Sequence, residues 1–189
     1  MGFTRAQLES FRDRSVPDLV PEHPRIVFVG INPGLWTAAT GVHFAYPGNR
    51  FYPALVAAGI LPRLPTIRDD GLDASDRRML LDVGIGISNI VPRATARADE
   101  LTRDELRAGA ARLETDAARW RPRVVAIVGL TAYRQGFGRP RAVTGLQRQT
   151  IAEAELWVVP NPSGLNAHDT VATLATAYAA PARAAGVIA

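Results

Sequence analysis

The 189-residue sequence contains no cysteine, and all 22 of its basic residues are arginine, so lysine is missing too. Without cysteine there is no disulfide framework, no thiolate-bound zinc and no iron–sulfur cluster. Without lysine there is no Schiff-base lysine, no Walker-type phosphate lysine and no pyridoxal-phosphate lysine. Histidine is scarce: His23, His43 and His168 fall in no HxxxH or HExxH spacing, so no metal is expected. No G-x-S-x-G elbow occurs, and Gly84-Ile-Gly86 lacks the third spaced glycine of a dinucleotide fingerprint. No cofactor is therefore expected. No apolar run approaches the ~20 residues of a membrane span. The opening MGFTRAQLESFRDR is polar rather than signal-like, so a cytoplasmic protein with no membrane partner is expected.

What is present suits one globular domain covering residues 1–189, with 47% hydrophobic and 21% charged residues. The formal net charge of +4 permits a polyanionic partner. An arginine-rich composition also follows from genome base composition, so charge alone decides little. Helical spacing places an N-terminal helix over about 4–14, another over 50–59 and a third over Asp73–Leu81. Thr102-Arg-Asp-Glu105 is a capping box, and its helix runs to about Trp120 across an unfavourable Gly109. A further helix opens at Gly129-Leu-Thr131, and an alanine-rich one covers roughly 169–184. Arg25–Gly30, Ile85–Val91 and Arg123–Val128 read as buried strands, Gln149–Glu155 as an edge strand, and Leu156–Val159 as a strand running into Pro160. Strands alternating with helices predict an α/β fold, with a mostly parallel central sheet sandwiched between two helical layers. Ligands in such folds sit beyond the carboxyl ends of the strands.

Three loops follow strands and should converge there: Gly30–Leu35, Gly129–Thr131 and Asn161–Asn166. Asn32 cannot act as a strong base, but its amide can orient a water, and Pro33-Gly34 makes a tight bend that exposes backbone amides. The same residues would also serve as a plain connecting turn. The segment Gly41-Val-His-Phe-Ala-Tyr-Pro-Gly-Asn-Arg-Phe51 is dense in aromatic and polar groups. A planar ligand could stack on Phe44 or Tyr46, and Asn49-Arg50 could cap a helix or bind phosphate; the bland reading is an aromatic loop pinned to the core. Gly129 and Thr131 offer helix N-terminal amides and a hydroxyl to an anion, as many α/β proteins do. Asn161-Pro-Ser-Gly-Leu165 is a polar turn with one apolar side chain, either a wedge for a base stack or a packed leucine. No covalent nucleophile is evident, so any chemistry must come from positioning and electrostatics.

Taken together, Gly30-Ile-Asn-Pro-Gly-Leu35, Phe44, Asn49-Arg-Phe51 and Asn161-Pro-Ser-Gly-Leu165 resemble the mismatch-specific uracil/thymine DNA glycosylases. These form a branch of the uracil-DNA glycosylase superfamily, and the resemblance runs from about residue 24 to 180. It implies a monomer that flips uracil, ethenocytosine and, as a further candidate, thymine out of guanine mispairs in double-stranded DNA and hydrolyses the glycosidic bond. Asn32 would position the attacking water. Gly30, Ile31, Pro33, Gly34 and Thr37 would line the base pocket, with Phe44 stacked on the base. Leu165 would fill the hole in the duplex. Gly164 and Asn166 would face the widowed guanine, within a loop that also includes Asn161, Pro162 and Ser163. Gly129, Thr131 and Asn89 would hold DNA phosphate.

Departures from the family pattern are Asn89, where some relatives carry a basic residue, Ala167, where some carry arginine, and Trp36 and Thr37 after the water-binding loop, which could reshape the pocket and leave discrimination against thymine open. Arg50 or Arg93 are candidates to replace such contacts. The absence of lysine as an amine nucleophile points to a monofunctional enzyme that leaves the abasic strand intact. One acid, Asp82 in Leu80-Leu-Asp-Val-Gly84, is a secondary catalytic candidate that could activate water or support a sugar cation. It would equally cap a helix or pair with arginine. The competing readings are an enzyme acting on free nucleosides and a non-catalytic mismatch or abasic-site binding module.

Overall fold

A computed structural model describes residues 2–164 and 169–189. Its strands are β1 (Ile26–Gly30), β2 (Ile67–Arg68), β3 (Gly71–Leu72), β4 (Ile85–Asn89), β5 (Val124–Val128), β6 (Gly145–Ile151) and β7 (Ala154–Val159). The helices are α1 (Arg5–Glu9), α2 (Leu35–Thr40), α3 (Phe51–Ala57), α4 (Ala74–Asp82), α5 (Arg103–Trp120), α6 (Leu130–Gly136) and α7 (Val171–Ala184). Five strands form the central sheet in the order β4-β1-β5-β7-β6, while β2 and β3 make a separate short hairpin. Strands β4, β1, β5 and β7 are parallel, and β6 is an antiparallel edge.

The β-branched runs of β1 and β5 are buried on both faces, as a parallel strand between two helical layers requires. Alternate side chains go to opposite cores. Ile26, Phe28, Val124 and Ala126 pack with Phe51, Leu55, Leu174 and Tyr178 on one face. Val27, Val29, Val125 and Ile127 pack with Leu106, Leu113 and Tyr133 on the other. Each such large side chain, fully buried, contributes about 1.5–3 kcal/mol. These are the helical layers expected of the α/β sandwich.

Several local details differ from the sequence reading. The first helix stops at Glu9, and Asp13 adopts a left-handed φ of 63° beyond it. Helix α2 and the β2–β3 hairpin are additional elements. The edge strand begins at Gly145, and a turn at Ala152 (φ 48°) separates it from β7 at Ala154. Gly109 has a packing reason: a Cβ there would lie 2.2 Å from the Ile90 carbonyl oxygen. Its absence lets α5 approach the end of β4 closely. The ladder between β1 and β4 continues past both strands, with Ile90 N–H donating to Gly30 O and Val91 N–H to Ile31 O, each at 2.9 Å. This extension holds the Gly30–Leu35 loop on the sheet.

Candidate functional site

A cavity of about 330 Å³ opens where the parallel strands end. That volume lies at the lower end of the ~300–1,000 Å³ usual for small-molecule sites. Ile31 to Thr37 form one wall, and Phe44, Tyr46 and Asn49 another. Asn89 at the tip of β4, Val128 at the tip of β5 and Asn161 after β7 complete it. Leu8 of α1, together with Thr95, also lines the cavity. Among the described lining residues there is no aspartate or glutamate.

Asn32 is tied back into the protein through its nitrogen. Nδ2 donates to Thr95 Oγ1 at 2.7 Å, Arg93 O at 3.0 Å and Pro33 O at 3.2 Å. Two of these partners are carbonyls, which only accept, so the nitrogen must face them. Thr95 is buried and donates its hydroxyl proton to Arg97 O at 2.7 Å, which commits its oxygen to accepting from Asn32. The Asn32 Oδ1 is the amide atom left for the cavity. Pro33 and Gly34 hold this arrangement from below, with Thr95 N–H donating to Pro33 O at 3.1 Å. Thr37, buried in α2, closes the same wall.

Phe44 sits at a positive φ of 57° and stacks on Phe51 at 4.0 Å between centroids, 21° from parallel. A non-glycine residue held there stores on the order of 1–3 kcal/mol of backbone strain, a condition concentrated at functional sites. Gly30 lies under this ring. A Cβ at position 30 would stand 2.6 Å from Asn89 Oδ1 and 3.3 Å from Phe44 Cζ. Asn89 is buried, and its Nδ2 lies 3.1 Å from His43 Nδ1. Asn89, read from the sequence as a phosphate ligand, lines the cavity with its carboxamide beside an imidazole.

The loop after β7 packs on the aromatic loop. Ser163 N–H donates to Asn161 Oδ1 at 3.0 Å, and Pro162 O accepts from Arg50 N–H at 3.0 Å. Arg50 Nη2 donates to Ser163 O at 2.7 Å, and Nη1 reaches Asp169 O. A Cβ on Gly164 would come within 2.7 Å of the Gly48 carbonyl, so a side chain there would push the two loops apart. Arg50 thus braces this loop, and Arg93 is engaged by Glu105 and Asp13 at 2.8 and 2.7 Å. The remaining loop candidates Leu165, Asn166 and Ala167 lie outside the described residues.

Two other candidates, Thr131 and Asp82, stand apart from the cavity. Gly129 (φ 135°) underlies it, since a Cβ would press on Ile31 Cδ1 at 3.2 Å, but exposed Thr131 on α6 does not line it. Asp82 is the exposed last residue of α4, ahead of β4. The length of β4, about 16 Å at roughly 3.3 Å per residue, separates Asp82 from the pocket end. Asp82 thus sits at the opposite end of β4 from the cavity and does not line it. The sequence reading missed Thr95 and His43. Thr95 carries no sequence signal, whereas His43 lies beside Phe44 in the loop singled out for its polar and aromatic content.

Fold and site define an α/β protein with a small-molecule cavity at the carboxyl edge of a parallel sheet. Residues 17–180 match the Uracil DNA glycosylase superfamily, and the chain belongs to it. A solution NMR structure of a candidate uracil DNA glycosylase from Methanosarcina acetivorans shares the fold, with a TM-score of 0.54 at 16% sequence identity. The match covers 88% of this chain and 98% of that one. Family membership supports a uracil-DNA glycosylase activity with DNA as partner. Among the described residues, no helix is long and apolar enough to cross a membrane.

Proposed function

We propose that the protein is a monofunctional, mismatch-directed DNA glycosylase. It removes uracil, and related lesions such as ethenocytosine, from mispairs with guanine in duplex DNA, and leaves an abasic site for base excision repair. The observation that carries this reading is the Asn32 carboxamide, locked by Thr95 and two carbonyls so that Oδ1 serves a cavity lined by no described carboxylate.

The base must leave the stack before it can enter a cavity of this size, at a cost of a few kcal/mol that is least for a mispair. Phe44, supported from behind by Phe51, then offers its ring to the base. The glycosidic C1′–N1 bond breaks heterolytically and its electron pair goes to uracil N1. Charge develops as a sugar cation and a uracil anion. Asn89 presents an amide to the base edge, and the flanking DNA phosphates stabilise the sugar. A water accepted at Asn32 Oδ1 adds through its oxygen to C1′ and loses a proton to solvent, while the departed base takes up one proton. An amide oxygen orients water without deprotonating it, so departure of the base leads and attack follows.

The test is single-turnover cleavage of duplexes carrying uracil opposite guanine or adenine, and of the single strand, with alkali added to reveal abasic sites. Guanine-dependent cleavage supports the proposal, whereas equal rates on all three substrates contradict the mismatch preference. A protein–DNA adduct trapped by borohydride would contradict the monofunctional mechanism.

A further inference from the structure

We infer that His43 is a positioning residue that fixes the Asn89 carboxamide in one orientation, so that the pocket selects a uracil-type imide edge over the edge of cytosine. For its ligand class this inference rests on the uracil reading above.

The chain of hydrogen bonds runs inward from the backbone. His43 Nε2 lies 3.0 Å from Pro17 O, and a carbonyl only accepts, so Nε2 carries the proton. The ring is buried, which lowers its pKa and keeps it neutral. In a neutral imidazole the second nitrogen is an acceptor. The Asn89 atom at 3.1 Å from Nδ1 is therefore the NH2 group, donating. The Pro17 carbonyl is itself held, because the neighbouring Leu19 exchanges two hydrogen bonds with Ile87 of β4, at 2.9 and 2.7 Å. Arg112 Nη2 fixes the Asn89 backbone by donating to its carbonyl at 2.6 Å.

With one N–H spent on His43, the carboxamide has Oδ1 and a second N–H to offer side by side. Oδ1 lies over Gly30 and beside Phe44, in space that any larger residue at position 30 would occupy. Uracil presents N3–H next to O4 and matches that pair. Cytosine presents a bare N3 next to an amino group and needs the amide turned over. Turning it would set Oδ1 against the Nδ1 lone pair. The ring cannot answer by moving its proton, because Nε2 would then face Pro17 O with a lone pair. A histidine that only filled the core would leave base preference untouched.

The test uses the 15N-labelled full chain, with ring-nitrogen and side-chain amide spectra of the parental protein, His43→Leu and His43→Asn, each titrated with free uracil and free cytosine. The expected result is an Nε2–H tautomer and binding of uracil at least tenfold tighter than cytosine, read from the Asn89 amide signals. His43→Leu should bring the two bases within about threefold. His43→Asn, whose Oδ1 falls near the former Nδ1, should restore most of the preference. An Nδ1–H tautomer in the parental protein, an unchanged preference in His43→Leu, or no parental preference for uracil overturns the inference, the first without any variant having to fold. A parental protein that prefers free uracil in this way yet excises none from DNA would overturn the glycosylase reading and leave the role of His43 standing.

Discussion

Thr95 Oγ1 stands 2.7 Å from Asn32 Nδ2 and donates its own proton to Arg97 O at the same distance, so one buried hydroxyl sets which face of Asn32 the cavity sees. Thr95→Val keeps the shape and removes both bonds. Leaving a buried donor or acceptor unmatched costs about 1–3 kcal/mol, and part of that should fall on the reaction through a wandering amide. We expect the single-turnover rate on a uracil–guanine duplex to drop on the order of tenfold, at about 1.4 kcal/mol per decade. Thr95→Ser should stay within a fewfold of the parental rate. Equal losses in both variants would point to packing rather than to the hydroxyl.

Phe44 carries strain at φ 57° and contacts Phe51 on one side, so its ring is held ready before any ligand arrives. Base–aromatic stacking is worth about 1–3 kcal/mol. Phe44→Ala should weaken uracil excision roughly 10- to 100-fold, while Phe44→Tyr should retain most of it. Calorimetric unfolding of Phe44→Ala should reveal a smaller loss than an ordinary core aromatic gives, because backbone strain persists but ring burial here is partial.

Gly109 tests the fit between α5 and the end of β4. Alanine gains up to about 1 kcal/mol of helix propensity over glycine. The Cβ would meet Ile90 O at 2.2 Å, however, and overpacking typically costs about 1–3 kcal/mol. Gly109→Ala should therefore lower the unfolding midpoint, contrary to its propensity. A raised midpoint would show that the helix moves away freely.

Acid stability should depend on Glu105. Arg93, and after it the Thr102 amide, lowers its pKa from 4.5 to about 2. A carboxylate depressed on folding stabilises the native state above its unfolded pKa and loses that contribution as pH falls towards the folded value. The window is thus between about 4.5 and about 2. Denaturant titrations across it should slope less steeply for Glu105→Gln than for the parental chain. Identical slopes would rule out this ion pair as a source of the acid limb.

The fold was legible where residues are buried on two faces: the runs around Phe28 and Ala126 are apolar and mostly β-branched, and Thr102 to Glu105 spells out a helix start. It was least legible where contacts are partial. Helix α2 is six residues of leucine, tryptophan, threonine and alanine, too short for a period, and β6 is a largely exposed edge whose first residues resemble a loop. In the site, Asn32 and Phe44 announced themselves through turn and aromatic chemistry. The place of Asn89 in the cavity was not legible, because its side chain depends on His43, 46 positions away in the chain. The distance of Asp82 from the cavity was not legible either, because nearness to a strand in sequence does not say which end of the sheet is meant. Long-range partners, not local pattern, decide such residues.

The most direct measurement is the single-turnover rate of Asn32→Ala beside the parental protein on one uracil–guanine duplex, with folding of both checked by thermal unfolding. A folded Asn32→Ala that loses on the order of a hundredfold or more in rate, while still binding the mispaired duplex, is the outcome predicted for a water positioned by this amide. A folded Asn32→Ala that cleaves at the parental rate would contradict the account and move the chemistry to another group.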